Sequence, residues 1–316
     1  KARTLVHQLA TDPDVGLVVG PSTTAGVEAV KGELAQAGVP NCVPAQVSDD
    51  AMQGATATFR TEAPVAGTAQ TLLQALRQRH PEARKVGLLA EEGPDGHYYD
   101  ARLADGVRNA GLEYVGAAFV ADANADQGPP LQDLVNKGVQ ALVLSGDPAV
   151  AGRSAQILGG MGQTGKVQLL GPPSLASSQY ADAGGPGAFG TIFAGSIQTY
   201  QTNEGEGRWP AVYRGFVKAI TTQYGYAAGG SEMQGSAPVA DCVVDWAAAA
   251  RKAGGFEGSG VIKAWQTLDL PAGSTVLSTR ERFTPTDHDA IDPNALFVYQ
   301  WQTGGGQRAL QQVGGP

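Results

Sequence analysis

Basic residues are in short supply in this 316-residue chain: 22 lysines and arginines stand against 30 aspartates and glutamates, for a formal net charge of −8. With a sequence pI near 5.0, a broad nucleic-acid or anionic-membrane surface is disfavoured. No apolar run approaches the length of a membrane span. Cysteine is nearly absent. Cys42 and Cys242 lack metal spacing such as C-x-x-C, so a zinc site has no support. Two readings of the pair stay open: two buried free thiols, or one disulfide, which would favour an extracytoplasmic home.

Signatures of catalysis are missing too. There is no G-x-S-x-G nucleophile elbow, no G-x-G-x-x-G turn and no P-loop. His7, His80, His97 and His288 form no H-x-x-x-H pair, and the acids of the 122–130 loop lack EF-hand spacing. His97 lies in "EEGPDGHYYD" beside Glu91, Glu92, Asp95 and Asp100. That cluster reads either as an acid/base or metal site or as a solvated strand-to-helix turn. The expectation is therefore a binding protein and not an enzyme, with no catalytic residue, no metal and no cofactor.

What is present is a globular composition, 42% hydrophobic and 16% charged, at a length that suits two domains. The chain opens on Lys1 with no signal-peptide pattern, which reads as a mature or excised segment. Residues 2–11 read as a helix. Strand-like runs fall at 15–19, 86–90, 114–120, 139–144 and 167–170, with amphipathic stretches at 25–37, 65–80, 98–110, 129–137 and 149–161. Apolar strands uninterrupted by polar residues suit a parallel sheet buried on both faces. Strand–helix alternation with short turns predicts open α/β sheets, whose ligands sit at the carboxyl ends of the strands. The pattern shifts after about residue 197. A polar, irregular stretch at 199–210 precedes helices at 211–225, 238–255 and 259–268, and the tail from Glu281 reads as two strands around a turn-rich loop.

One stretch, "GLVVGPSTTAG" at 16–26, ends an apolar run in a row of hydroxyls at a helix start. Such a turn is either an ordinary N-cap or a carboxylate or phosphate site, because free N–H groups and hydroxyls gather at the positive end of the helix.

The order of several loose motifs resembles the branched-chain amino-acid-binding family of type I periplasmic binding proteins, the substrate-binding components of ABC importers. The likeness is carried by "VGLVVGPSTTAGVEAV" with "AGVPNCVPAQVSDD", by "ATFRTEAPVAGTAQTLLQAL", by "RKVGLLAEEGPDGHYYDARLADGVRNAGLEYVG", by "LVNKGVQALVLSGDPAVAGRSAQILGGMG", and by "VYRGFVKAITTQYG" with "APVADCVVDWAAAARKAGG". It spans nearly the whole chain. The resemblance implies an α/β fold of two doubly wound lobes joined by a three-crossing hinge that closes on a ligand. It places the N-terminal lobe at 1–64 and 199–285 and the C-terminal lobe at 65–198 and 286–316, with crossings near 62–66, 196–200 and 284–288. The family's opening strand–helix–strand has no counterpart in the sequence, which would leave backbone groups of a sheet unpaired unless something compensates.

Carried over residue by residue, the resemblance puts a ligand carboxylate on Ser22, Thr23 and Thr24, with Thr24 the closest match. It puts a backbone carbonyl at Ala45 and a hydroxyl where Val47 stands, with Gln46 and Ser48 as substitutes. The tyrosine of the acidic-Tyr-Gly turn falls on Asp95, leaving Tyr98 or Tyr99 either to cover the ligand or to pack its helix. Asp147 either faces the ligand or caps the helix at Pro148. A family glutamate that pairs with the ligand's ammonium falls on Pro173, which offers neither charge nor donor. Either Asp95 or Asp147 takes over that role, or the ligand is a carboxylate, amide or aromatic acid and not an α-amino acid. The resemblance implies an extracytoplasmic solute-binding protein, periplasmic or at the cell surface, anchored or secreted. Its partners would be a small-molecule ligand and an ABC permease, with no nucleic acid. The alternative is a ligand-sensing regulatory or receptor domain of the same fold.

Overall fold

A computed structural model of the chain describes residues 2–197, 206–226, 232–304 and 307–315. In chain order the elements open with α1 (Ala2–Thr11), β1 (Val18–Val19), α2 (Thr24–Ala37), β2 (Asn41–Val43), α3 (Asp49–Met52), β3 (Thr58–Arg60) and α4 (Val65–Arg79). They continue with β4 (Lys85–Glu91), α5 (Pro94–Asn109), β5 (Glu113–Val120), α6 (Gly128–Asn136), β6 (Ala141–Ser145), α7 (Pro148–Gly160), β7 (Gln168–Gly171), α8 (Ser178–Gly184) and β8 (Ile192–Gly195). The last part carries α9 (Ala211–Tyr224), α10 (Glu232–Ala253), α11 (Gly258–Trp265), β9 (Asp269–Leu270), β10 (Glu281–Arg282), β11 (Phe297–Gly304) and β12 (Gln307–Gly314). The chain divides into two compact units: Lys1–Val65 with Ser196–Ala228 and Ser236–Ala295, and Ala66–Gly195 with Gly229–Gly235 and Leu296–Pro316.

The first unit is built on a parallel sheet in the order β1-β2-β3. Against one side lie α1 and α2, whose periodic apolar residues Val6, Val30 and Leu34 bury against Val18 and Val39. A second cluster joins Val27, Val43, Val47 and Ala51. Helix α10 reaches the same sheet through a disulfide from Cys242 to Cys42 on β2, with Cα atoms 5.6 Å apart. Of the two cysteine readings, the bridge is therefore the correct one: strand and helix bring together residues separated by 200 positions. Trp246, one turn further along α10, donates its indole N–H to the Gly16 carbonyl at 2.8 Å. On β3, Phe59 stacks on Trp265 with ring centroids 4.4 Å apart and on His288 at 4.6 Å. Among the described residues β1 pairs only with β2, and Val19 is 43% exposed on that outer strand.

The second unit holds a seven-stranded sheet in the order β12-β11-β8-β7-β6-β4-β5. Strands β4 to β8 are parallel, as the apolar runs of β4 to β7 predict, while β8 has no counterpart among those runs; the centre of β4, from Val86 to Ala90, is wholly buried. The β11–β12 hairpin departs from that pattern and runs antiparallel at one edge, β11 pairing with β8. A two-residue connection leaves no room for a crossover helix, so only an antiparallel return is possible. Its strand β12 was not anticipated from sequence. Helix α10 begins at Glu232, six positions earlier than the pattern places it, and carries Pro238 inside it. The core joins Leu89, Leu142, Leu144, Tyr180, Phe193 and Trp301. Residues 199–205 of the polar stretch and 198–200 of the second expected crossing lie outside the described residues.

Candidate functional site

The candidate residues of the first unit lie where β1 and β2, neighbours in the sheet, release the chain at their carboxyl ends. Thr23 is the N-cap of α2, with φ −131° and ψ 147°, and its side chain accepts from the Gly26 N–H at 3.2 Å. Glycine is required at position 26 because a Cβ there would stand 2.7 Å from the Pro21 Cβ. The cap uses one orphan amide of the helix start; those of Thr24 and Ala25 have no intrahelical acceptor. Ser22 and Thr23 are exposed, whereas Thr24 is 7% exposed. The Thr24 hydroxyl accepts from the backbone N–H of Ser48 at 2.8 Å, and a hydroxyl that accepts there can still donate its own hydrogen. Ser48 caps α3, its own hydroxyl accepting from the Ala51 N–H at 3.2 Å.

Ala45 and Gln46 are half-buried in the bend between β2 and α3. The Gln46 amide donates to the Ala63 carbonyl at 3.1 Å. Val47 stands where the resemblance expects a hydroxyl. It is 1% exposed, and its side chain belongs to the core with Val27, Val43 and Ala51.

Arginine 60 holds this loop in place, a role that sequence reasoning missed. Its guanidinium is fully buried and donates to both Asp289 oxygens at 2.7 Å, to Asp49 at 3.0 Å and to the Val47 carbonyl at 2.9 Å. Burial alone would lower its pKa; the adjoining Asp289 and Asp49 charges outweigh that and raise it. The signal in sequence was the "FRT" run, but Asp289 lies 229 positions away. Two residues on, Glu62 accepts from the Ala63 N–H and the Ser196 hydroxyl, each at 2.7 Å. Burial pushes its carboxyl up to about 7 against the opposing pull of those bonds and of Arg60.

In the second unit, Asp95, Tyr98 and Asp147 sit at the carboxyl ends of β4 and β6, which are also neighbours. Asp95 is exposed in the first turn of α5. The Tyr98 hydroxyl accepts from Arg102 Nε at 3.1 Å, with the guanidinium 4.9 Å above its ring. Tyr99 is 3% exposed and packs inside the unit, whereas Tyr98 is half-buried. Asp147 caps α7, accepting from the Ala149 N–H at 2.7 Å, and its own N–H donates to Glu91 at 3.1 Å. Pro173 is buried in a short 3-10 turn over Pro173–Leu175. His97 bonds Glu92 at 2.7 Å on the surface. Among the described residues, no group of three or more His, Cys, Asp or Glu side chains could hold a metal ion, and no helix is long and apolar enough to cross a membrane.

Each candidate set thus lies at the carboxyl ends of the strands of its own unit's sheet, the edge where open α/β sheets generally take ligands. A periplasmic binding protein of type 1 from Bordetella pertussis superposes with a TM-score of 0.83 at 16% identity, covering 99% of this chain and 84% of that one. The branched-chain amino acid transporter substrate-binding protein LivJ from Streptococcus pneumoniae, solved with isoleucine, gives 0.78 at 19% identity, over 99% and 83% of the two chains. A solute-binding protein of an ABC transporter from Rhodopseudomonas palustris, solved with 4-hydroxybenzoate, gives 0.81 at 14%, over 99% and 81%. These likenesses establish a shared fold, that of the type I periplasmic binding proteins. No curated protein sequence matches the chain. The periplasmic binding protein family matches residues 1–307, and the chain belongs to that family.

Proposed function

We propose that this chain is the extracytoplasmic solute-binding component of an ABC importer and that it takes a small organic acid by its carboxylate. The observation that carries the reading is the start of α2, where the amides of Thr24 and Ala25 and the hydroxyls of Ser22, Thr23 and Thr24 gather at the positive end of a helix. Charge-assisted bonds from such donors to a carboxylate are the strong kind. Gln46, Ser48 and the Ala45 carbonyl border that turn, and Asp95, Tyr98 and Asp147 are the proposed contacts on the second unit.

Two structural relatives support the ligand class. One was solved with isoleucine and another with 4-hydroxybenzoate, and a carboxylate is what those ligands share. Pro173 stands where the resemblance expects a partner for an ammonium. Burying an ammonium without a partner is costly, so an aromatic or hydroxy acid fits better than an amino acid. The disulfide agrees with an oxidising, extracytoplasmic home.

A thermal-shift panel of leucine, isoleucine, 4-hydroxybenzoate and 3,4-dihydroxybenzoate tests this. A ligand at 100 times its Kd adds about 2.7 kcal/mol of stability, which is a rise of several degrees. The expected result is a rise with the benzoates and none with the amino acids. A rise with leucine alone would overturn the ligand class while leaving a solute-binding protein.

A further inference from the structure

Three carboxyl groups of the first unit are fully buried together: Asp241 and Asp245, one turn apart on α10, each adjoin Glu281 on β10. No functional reading above uses them. Asp241 has donors of its own, accepting from the backbone N–H of Val276 at 2.6 Å and of Leu277 at 2.7 Å. Asp245 and Glu281 do not share that arrangement. As ionised groups they would present buried acceptor oxygens to each other with no donor between them.

Charged neighbours do not relieve the contact. Arg280 turns outward to Asp269 at 2.6 Å, and Arg282 is exposed. The groups that act on the three carboxyls are one another, the Thr275 hydroxyl and the Val276 and Leu277 amides. Two adjoining buried carboxylates cannot both ionise without a large electrostatic cost, whereas one proton placed between them turns a repulsion into a hydrogen bond. The burial of all three groups raises their pKa values, that of Asp241 to about 8 and those of Asp245 and Glu281 well above the usual carboxylate range.

We propose that Asp241, Asp245 and Glu281 form a carboxyl clasp that holds a shared proton at neutral pH, joins α10 to β10, and comes undone when alkaline conditions remove that proton to water. The Asp241 bonds to the Val276 and Leu277 amides tie the 275–282 segment to the helix that also carries Cys242. The sign follows from linkage. A carboxyl raised in the folded state keeps its stabilising contribution below its unfolded pKa and loses it as the pH climbs through the folded one.

Infrared difference spectroscopy on the full chain at pH 8 tests the clasp, in a Glu62→Gln background that removes the other buried carboxyl with a raised pKa among the described residues. The expected result is a C=O stretch of a non-ionised carboxyl that loses most of its intensity in the Asp245→Asn/Glu281→Gln double variant, which keeps the shapes and leaves only Asp241 to be protonated. Thermal unfolding followed from pH 6 to pH 9 should fall steeply in the Glu62→Gln protein and much less in the triple variant, where Asp241 alone still titrates. Absence of the non-ionised carboxyl stretch in the Glu62→Gln protein overturns the proposal, and that reading does not depend on the further variant folding. An equal alkaline fall with and without the double substitution overturns it as well.

Discussion

The side-chain oxygen of Thr24 accepts the backbone N–H of Ser48 at 2.8 Å, so the first turn of α2 and the start of α3 share one hydroxyl. This gives Thr24 two tasks, fixing the loop and presenting a donor, and the two are separable by substitution. Thr24→Val removes the acceptor and leaves the buried Ser48 amide unpaired, at a cost of about 1–3 kcal/mol. The substitution should therefore lower stability as well as anion affinity. Thr24→Ser keeps the hydroxyl and should retain most of the stability and of the anion affinity. Urea unfolding and calorimetric titration of the two variants distinguish the tasks.

Asp289 is the main anchor of a fully buried guanidinium, bound to Arg60 through both oxygens. Asp289→Ala leaves that charge with Asp49 alone and should destabilise the chain by about 3 kcal/mol, since breaking one side of a buried pair costs far more than the pair contributes. A denaturation midpoint close to that of the native protein would show that Asp49 and water suffice.

The Cys42–Cys242 bridge closes a loop of 200 positions. In the chain-entropy account its removal costs about 2–5 kcal/mol. A Cys42→Ala/Cys242→Ala variant should unfold at lower urea, and the unfolded native protein should show no free thiol until it is reduced.

Glu62 adds a pH dependence below that of the carboxyl clasp. Its folded pKa is near 7, against an ordinary value of 4.5, because burial favours the protonated form. The protonated state therefore stabilises the fold fully below about 4.5, and that contribution, on the order of 3 kcal/mol, is lost as the pH rises through 7. Glu62→Gln should flatten the stability profile between pH 5 and pH 7.5 in unfolding experiments at matched ionic strength.

Much of this was legible in the sequence where the signal is local. The starts of α2 and α7 follow from Thr23 and Asp147, because a cap is decided within three residues of the helix it opens. The parallel strands β4, β6 and β7 follow from apolar runs that need burial on both faces, whereas β5, at the sheet edge, is only half-buried. The three-residue strands β2 and β3 are too short to show a period of their own. The disulfide, the Arg60–Asp289 pair and the Asp241–Glu281 contact join residues that only the fold brings together, so no pattern along the chain reveals them. The hydroxyl run was visible as a cap or a ligand turn, but the bond from Ser48 that makes Thr24 structural was not.

The central claim is that the start of α2 holds a carboxylate. Calorimetric titration of the native protein with 4-hydroxybenzoate and with its neutral methyl ester, which keeps the ring and the hydroxyl, tests it most directly. The account predicts saturable binding of the acid and loss of most of that affinity in the ester. Equal affinity for the two would contradict it, because the anion-binding turn would then contribute nothing.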